Sequence, residues 1–402
     1  MPLLGERGRL SAPDEPGSPQ RCEQPVDGSE MRSAAPDQVD LDAAALRSAV
    51  QYATQRGAQS VRIYRHDCLV ARSGNDPVTE HQRLTGWSMT KGVVSTVVGR
   101  AVTLGLLDVD DPIGNHLDGL DDGKAAITVR NLLNQTSGLR FAWLNDLWAA
   151  GNADSTADVL ARPFEATPGS TFLYAQTTVT LLASVVEAAV GEDFQAFASR
   201  ELFEPLGIRD GDWLWERDVA GHTQGFAFLQ MTPIAWSRLG LLLVGDGLWA
   251  GQRLIDASYI EQGRTGSPAN AGYGFLWRTN VGDWFITSDP SHERKQSVPW
   301  PGLPRDAFAY SGLFEQDVVV IPSLDMVVVR LGLPPELFGD PLGESPGLRP
   351  AYDWRFNRLL MHSVTDVDVP DPGPWVYPGP AAPAGPEHIV EPSLPPFNID
   401  LP

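Results

Sequence analysis

Lysine is the scarcest common residue of this 402-residue chain: Lys91, Lys124 and Lys295 are all it has, against 27 arginines. Positive charge as a whole is outweighed, with a formal net charge of −21. That balance argues against nucleic acid and anionic membrane surfaces as partners, because both are held by basic patches. Cysteine is nearly absent. Cys22 and Cys68 fall short of a disulfide framework, no Cys/His spacing suggests zinc, and Cys68 reads as a small buried hydrophobe in a strand. There is no run of 18 or more apolar residues, so no membrane span is expected. The first 36 residues lack the apolar core of a signal peptide. These absences lead to the expectation of a soluble, cytoplasmic protein without metal or cofactor. The acidic run DVDD at 108–111 has the wrong spacing and glycine placement for a calcium loop and reads as a solvated turn.

What is present is ordinary in bulk and specific in detail. Hydrophobic content of 42% and charged content of 20% suit a globular protein, and the length predicts two lobes rather than one core. Residues 1–36, rich in Pro, Gly, Ser and charge, read as a disordered or loosely packed arm. A helix follows over about 40–56, then a hairpin turning near His66-Asp67. From 112 to 224 the signals are helical: ITVRNLLNQTSGL reads as a helix closed by Gly138, and TTVTLLASVVEAAVG as one closed by Gly191. After 225 comes one more helix, then short strands in YGFLWRTN, DWFITS, AFAYSG, QDVVVIP and DMVVVRLG, then a last helix in AYDWRFNRLLMHSV. The expected organisation is an α/β lobe from 37–111 and 225–365, a helical lobe from 112–224, and an extended tail from 366, whose 37 residues contain 11 prolines.

The segment GWSMTKGVVSTVVGRAV, residues 86–102, places apolar residues at 89, 93, 94, 97, 98, 101 and 102, which is helical spacing. Ser88 and Lys91, three apart, share a face at its start. A serine hydroxyl needs a base to take its proton. Lysine can serve when burial lowers its pKa, whereas arginine stays charged. By itself S-x-x-K is weak, since chance supplies one roughly one time in five. Tyr174, just before a buried helix, is a second proton carrier if it lies near an ammonium. Ser311-Gly312, inside a strand-rich region, suggests close approach of backbone to a ligand.

Taken in order, Ser88-Met89-Thr90-Lys91, Tyr174-Ala175-Gln176 and Tyr310-Ser311-Gly312 resemble the three signatures of serine hydrolases related to class C β-lactamases. That group includes penicillin-binding DD-peptidases, D-aminopeptidases, family VIII carboxylesterases and nylon-oligomer hydrolases. ITVRNLLNQTSGL, PGSTFLYAQ, LFEPLGI and VVVIPSLDMVVVRLG extend the resemblance over about 40–365. It implies an α+β, β-lactamase/penicillin-binding-protein-like fold, with a mainly antiparallel sheet flanked by helices plus a helical lobe. It also implies Ser88 as acylated nucleophile, Lys91 and Tyr174 sharing proton transfer, and an oxyanion hole from the backbone N–H groups of Ser88 and Leu313. Gln176, Tyr310, Ser311 and Gly312 would contact substrate.

Two departures shape the expected chemistry. Gln176 stands where the resemblance expects asparagine, and Tyr310 where it expects the lysine or histidine that helps hold a β-lactam's carboxylate. Esterase or amidase action on a small neutral substrate is therefore expected, with β-lactamase or D-amino-acid peptidase as the alternative and a catalytically silent binding protein as the reading from another class. A Ser-His-Asp triad has less support: Gly86-Trp87-Ser88-Met89-Thr90 is only half of G-x-S-x-G, and His222 and His292 read as loop residues. Trp143, Trp148, Trp213, Trp215 and Trp277 are candidates to line an acyl pocket. An oligomer is compatible with all of this.

Overall fold

A computed structural model describes residues 19–148, 154–333 and 349–376. The hydrophobic strands at the two ends of the chain meet in one sheet. On the N-terminal side, helix α1 (Ala43–Gln55) is capped by Asp42, whose carboxylate accepts from the N–H groups of Ala44 and Ala45. It leads into β1 (Ala58–Arg65) and β2 (Cys68–Arg72), joined through His66 and Asp67 at positive φ. The C-terminal side contributes β3 (Tyr273–Gly274), β4 (Trp277–Thr279), β5 (Phe308–Ser311), β6 (Asp317–Ile321) and β7 (Met326–Gly332). The seven strands run in the order β2-β1-β7-β6-β5-β4-β3, with every neighbouring pair antiparallel. The fold is mixed α+β, and its principal sheet is antiparallel.

Strand residues alternate between faces, and both faces are covered. Phe308, Tyr310, Val318, Val320, Val327 and Val329 belong to one apolar core, while Ala309, Val319, Ile321, Met326 and Val328 belong to another. Helices α1 and α6 (Arg349–Met361) contribute to the second core. The first core is built with α2 (Met89–Thr103), α4 (Thr177–Val190) and α5 (Pro233–Val244); a short α3 (Trp143–Trp148) precedes α4. Helix α2 lies between β5 and α4, so every residue from Met89 to Ala101 is buried. This is why its sequence is apolar nearly all round instead of along one stripe.

Three local expectations change. The segment ITVRNLLNQTSGL is helical only over Val129–Leu133, where Thr128 and Asn131 form a capping box. Gln135 takes a left-handed φ of 56° and ends that helix well before Gly138. The arm before residue 37 is not loose over its described part. Its Cys22 and Met31 are buried, and Leu69 on β2 both donates to the Arg32 carbonyl (2.9 Å) and accepts from the Ala34 N–H (3.1 Å). Cys68 is buried in a strand but is not a free thiol, because it is disulfide-bonded to Cys22. Of the Pro-rich tail, residues 366–376 are described. Asp366 pairs with Arg65, Asp371 pairs with Arg358, and the Trp354 indole donates to the Gly373 carbonyl at 2.8 Å. The rest of the tail, from 377, and residues 1–18 of the arm lie outside the described residues. Among the described residues no helix is long and apolar enough to cross a membrane.

Candidate active site

Ser88 is the N-cap of α2, reached through a constrained approach. Gly86 donates to the Leu229 carbonyl (3.0 Å), and the Thr90 hydroxyl bridges the Trp87 carbonyl (2.7 Å) and the Leu229 N–H (3.2 Å). Trp87 sits at φ 48°, a conformation costly for a bulky residue, so the surrounding bonds hold the turn that presents Ser88. Three positions on, the Lys91 ammonium nitrogen lies 3.0 Å from Ser88 Oγ and donates to the Phe226 carbonyl at 2.8 Å. Lys91 is 1% exposed. Burial pushes its pKa well below the ordinary lysine range, and the nearby charge of Asp146 pulls in the opposite direction.

The second motif closes this pocket from the α4 side. Lys91 Nζ lies 4.8 Å from the Tyr174 ring centroid and 5.7 Å from that of Phe226. Tyr174 packs edge-on against Tyr273, whose phenol is held well above its usual pKa by burial and by Tyr174 itself. Gln176 is buried beside them, and its side-chain oxygen has no hydrogen-bond partner among the described residues. It does not bond to Lys91, whose partners are Ser88 and Phe226. The fully buried Asp146 on α3 organises the turn into α4. It accepts from the Gln176 N–H (2.9 Å), the Thr177 N–H (3.4 Å) and the Thr177 hydroxyl (3.2 Å), and pairs with Arg162.

The first-turn amides of α2 are already engaged: Met89, Thr90 and Lys91 donate to the carbonyls of Gly86, Trp87 and Ser88. What the helix start can offer an oxyanion is therefore the N–H of Ser88 itself. Opposite it, Leu313 follows β5, 43% exposed, in a loop that holds Phe314 and Glu315 at positive φ. The loop is tied down by Arg330, which donates to the Phe314 carbonyl (2.8 Å), and by Gln316, which donates to the same oxygen (2.8 Å). Gly312 abuts the turn before Ser88 so closely that an added Cβ would lie 2.2 Å from the Gly86 carbonyl oxygen. Ser311 Oγ donates to Asp317 Oδ1 at 2.6 Å.

Tyr310 differs from expectation. It is 1% exposed, and its hydroxyl hydrogen-bonds the Thr96 hydroxyl, more than a turn farther along α2 than Lys91. Its ring covers Gly92, where a Cβ would meet Tyr310 Cδ1 at 2.2 Å. Strand alternation puts it beneath α2, where its ring and hydroxyl pack in the core. The tryptophans divide similarly. Trp277 donates to the Gly92 carbonyl (3.3 Å) and Trp215 to the Gln224 carbonyl (3.0 Å), both in the core; Trp213 packs on Phe203, and Trp143 is half-buried at the start of α3. The Trp148 side chain lies outside the described residues. Sequence reasoning missed Trp87, which stacks edge-on against Phe314 (5.7 Å) beside Ser88, and Asp146. Trp87 adjoins Ser88 in sequence, whereas Asp146 had only its placement as an acid among aromatic residues to mark it.

A groove of about 700 Å³ lies between α1 and β2, lined by residues such as Leu46, Val50 and Val70, and includes none of these groups. Chemistry, not volume, identifies the candidate site. Among the described residues no cluster of His, Cys, Asp or Glu could hold a metal ion.

A family model described as Beta-lactamase matches residues 44–332. Esterase EstB of Burkholderia gladioli is 26% identical over 213 residues, covering 44% of this chain and 53% of EstB. Esterase/beta-lactamase LipL of Mycobacterium tuberculosis is 30% identical over 127 residues, covering 30% of this chain and 28% of LipL. The chain thus spans about half or less of the length of these relatives. A putative beta-lactamase structure from Bacteroides dorei superposes with a TM-score of 0.62 at 15% identity, covering 81% of this chain and 99% of that one, a likeness of fold alone.

Proposed function

The chain belongs to the β-lactamase family, and from this premise we propose that it is a serine hydrolase of esterase or amidase type acting through an acyl-enzyme on Ser88. One observation carries the proposal: a fully buried lysine amine 3.0 Å from the serine hydroxyl. A desolvated amine is neutral over a wider pH range and can accept the Ser88 proton as Oγ bonds to the substrate carbonyl carbon. Negative charge then grows on the carbonyl oxygen, between the N–H groups of Ser88 and Leu313. The proton on Lys91, passed on with the help of Tyr174, goes to the departing alcohol or amine as its bond to carbon breaks. A water molecule attacks the ester on Ser88 by the same route and frees the acid and the serine. Lys91 and Tyr174 titrate as a coupled pair in this scheme.

The substrate is a small, neutral ester or amide. No cation stands at position 310 to hold a carboxylate, because Tyr310 is buried and bonded to Thr96. This favours ester or amide cleavage over β-lactam hydrolysis, and the esterase name of EstB agrees with it, while LipL is named for both. The test is a fluorophosphonate probe with peptide mass spectrometry, alongside turnover of short-chain p-nitrophenyl esters, amides and nitrocefin. The adduct is expected on Ser88, with ester or amide turnover lost in Ser88→Ala. Full activity in Ser88→Ala, or an adduct elsewhere, overturns the proposal. Nitrocefin turnover matching that of the esters assigns a β-lactamase, and a folded protein that no acyl probe labels is a silent binding protein.

A further inference from the structure

The Asp146–Arg162 pair is an expensive feature for a protein to keep. Asp146 is 0% exposed and Arg162 is buried, and taking both charges out of water costs several kcal/mol per ion before their attraction is counted. Stability alone is a poor reason to retain such a pair, because apolar replacements of similar volume are often as stable. Its placement supplies a better one. Both carboxylate oxygens of Asp146 are committed. Oδ1 takes Arg162, while Oδ2 takes the N–H groups of Gln176 and Thr177 and the Thr177 hydroxyl. The N–H groups it satisfies are at the start of the 14-residue α4, where the positive end of the helix dipole favours an anion. Arg162 is shared with Asp158 at 2.8 Å.

We infer that the Asp146–Arg162 pair is a positioning device for the Ser88–Lys91 dyad: Asp146 pins the turn that carries Tyr174 and Gln176, and the pair sets the charge balance that faces the Lys91 amine. The inference rests on the reading of Ser88 as nucleophile and Lys91 as its base. The groups around Lys91 come from four directions. Ser88 is on its own helix, Tyr174 precedes α4, the Phe226 carbonyl approaches from the segment after 225, and Asp146 is on α3. Tyr273 stands behind Tyr174, and Arg162 with Asp158 behind Asp146. Asp146 is the negative charge that acts on Lys91 from this set, and Arg162 is its counter-charge.

The sign follows from electrostatics. A carboxylate near an ammonium favours the protonated amine, so removing that charge lowers the pH at which Lys91 becomes a base. Removing Arg162 leaves the carboxylate uncompensated and raises it. A purely structural pair would lose rate or stability in both variants without shifting the profile in opposite directions.

The experiment measures the rate of fluorophosphonate labelling of Ser88 against pH in the full chain, for wild type, D146N and R162M. Melting curves and near-UV circular dichroism verify folding. D146N keeps an oxygen acceptor for Gln176 and Thr177 but not the charge. The acid limb of its labelling profile is expected to move to lower pH by on the order of half a pH unit or more, and that of R162M to higher pH. If R162M does not fold, the double variant D146N/R162M is expected to shift in the direction of D146N but by less, since it also lacks the positive charge. An unshifted limb in folded D146N, shifts of the same sign in both single variants, or failure of every variant to fold overturns the inference and leaves the pair a matter of stability. Wild type that takes no label on Ser88 overturns instead the assignment of the nucleophile, and separates that failure from this one.

Discussion

The phenol of Tyr310 stands where the resemblance to β-lactamases expects a lysine or histidine, on the strand face that packs under α2. Its hydroxyl is spent on Thr96, and burial pushes its pKa up. Tyr310→Phe therefore removes a buried hydrogen bond but nothing that meets substrate. The variant is expected to lose about 1 kcal/mol of stability and to keep kcat/KM on a p-nitrophenyl ester within about threefold, less than 1 kcal/mol of transition-state stabilisation. A loss of a hundredfold with the fold intact would return Tyr310 to the substrate. At this scale the sequence was informative about Lys91, because a chain that otherwise uses arginine kept one amine at a position where only an amine can lose its proton. It was silent about where Tyr310 points, since residue type and motif position carry no strand facing until the neighbours of β5 are known. Gln176 is intermediate: the sequence showed its longer amide, and only the fold showed that its oxygen is buried without a partner among the described residues.

Elements were legible where burial is extreme. Helix α2 announced itself by the helical spacing of its apolar residues, and β6 and β7 by valine runs that fill two cores at once. The short helix at Val129–Leu133 was overread because its stop is a left-handed Gln135, a residue type with no strong preference for that conformation. The packing of β5's end on the nucleophile turn was half legible: glycine at 312 suggested close approach, and the structure supplies its partner, the Gly86 carbonyl. A methyl group at 312 must separate the loop of Leu313 from the loop of Ser88, since neither backbone can yield without moving one of the two N–H groups proposed to hold the oxyanion. Gly312→Ala is expected to slow labelling of Ser88 by about a hundredfold, the scale of one lost oxyanion donor, while stability falls by about 1–3 kcal/mol. Stopped-flow or gel-based labelling under pseudo-first-order conditions reads the first, and thermal denaturation the second. Labelling at the wild-type rate would show that Leu313 is not an oxyanion donor.

The molecule as a whole is closed at its N-terminal edge by a device that composition concealed. Residues 19–36 have the Pro, Gly and charge content of a loose arm, yet they run along the outer edge of β2. There they pair with Leu69, tie Arg21 to Asp67 at 2.7 Å and place Glu30 against the buried Arg62. An exposed edge strand invites pairing with another chain, and the arm covers part of it. Cys22 and Cys68, 46 residues apart, lock the arm down covalently. No local pattern reveals such a pair, because only the fold brings the two cysteines together. Cys68, expected as a small buried hydrophobe, is buried and bonded to Cys22. Closing a loop of this length restricts the unfolded chain, so the double variant C22S/C68S is expected to lose roughly 2–4 kcal/mol in denaturant unfolding. The arm lies at the β2 edge, four strands from β5, so labelling of Ser88 per folded molecule should stay near the wild-type rate. Thiol titration of denatured wild-type protein, purified without reductant, should find no free cysteine. Two free thiols together with unchanged stability in C22S/C68S would mean that the arm is held by its hydrogen bonds and ion pairs alone.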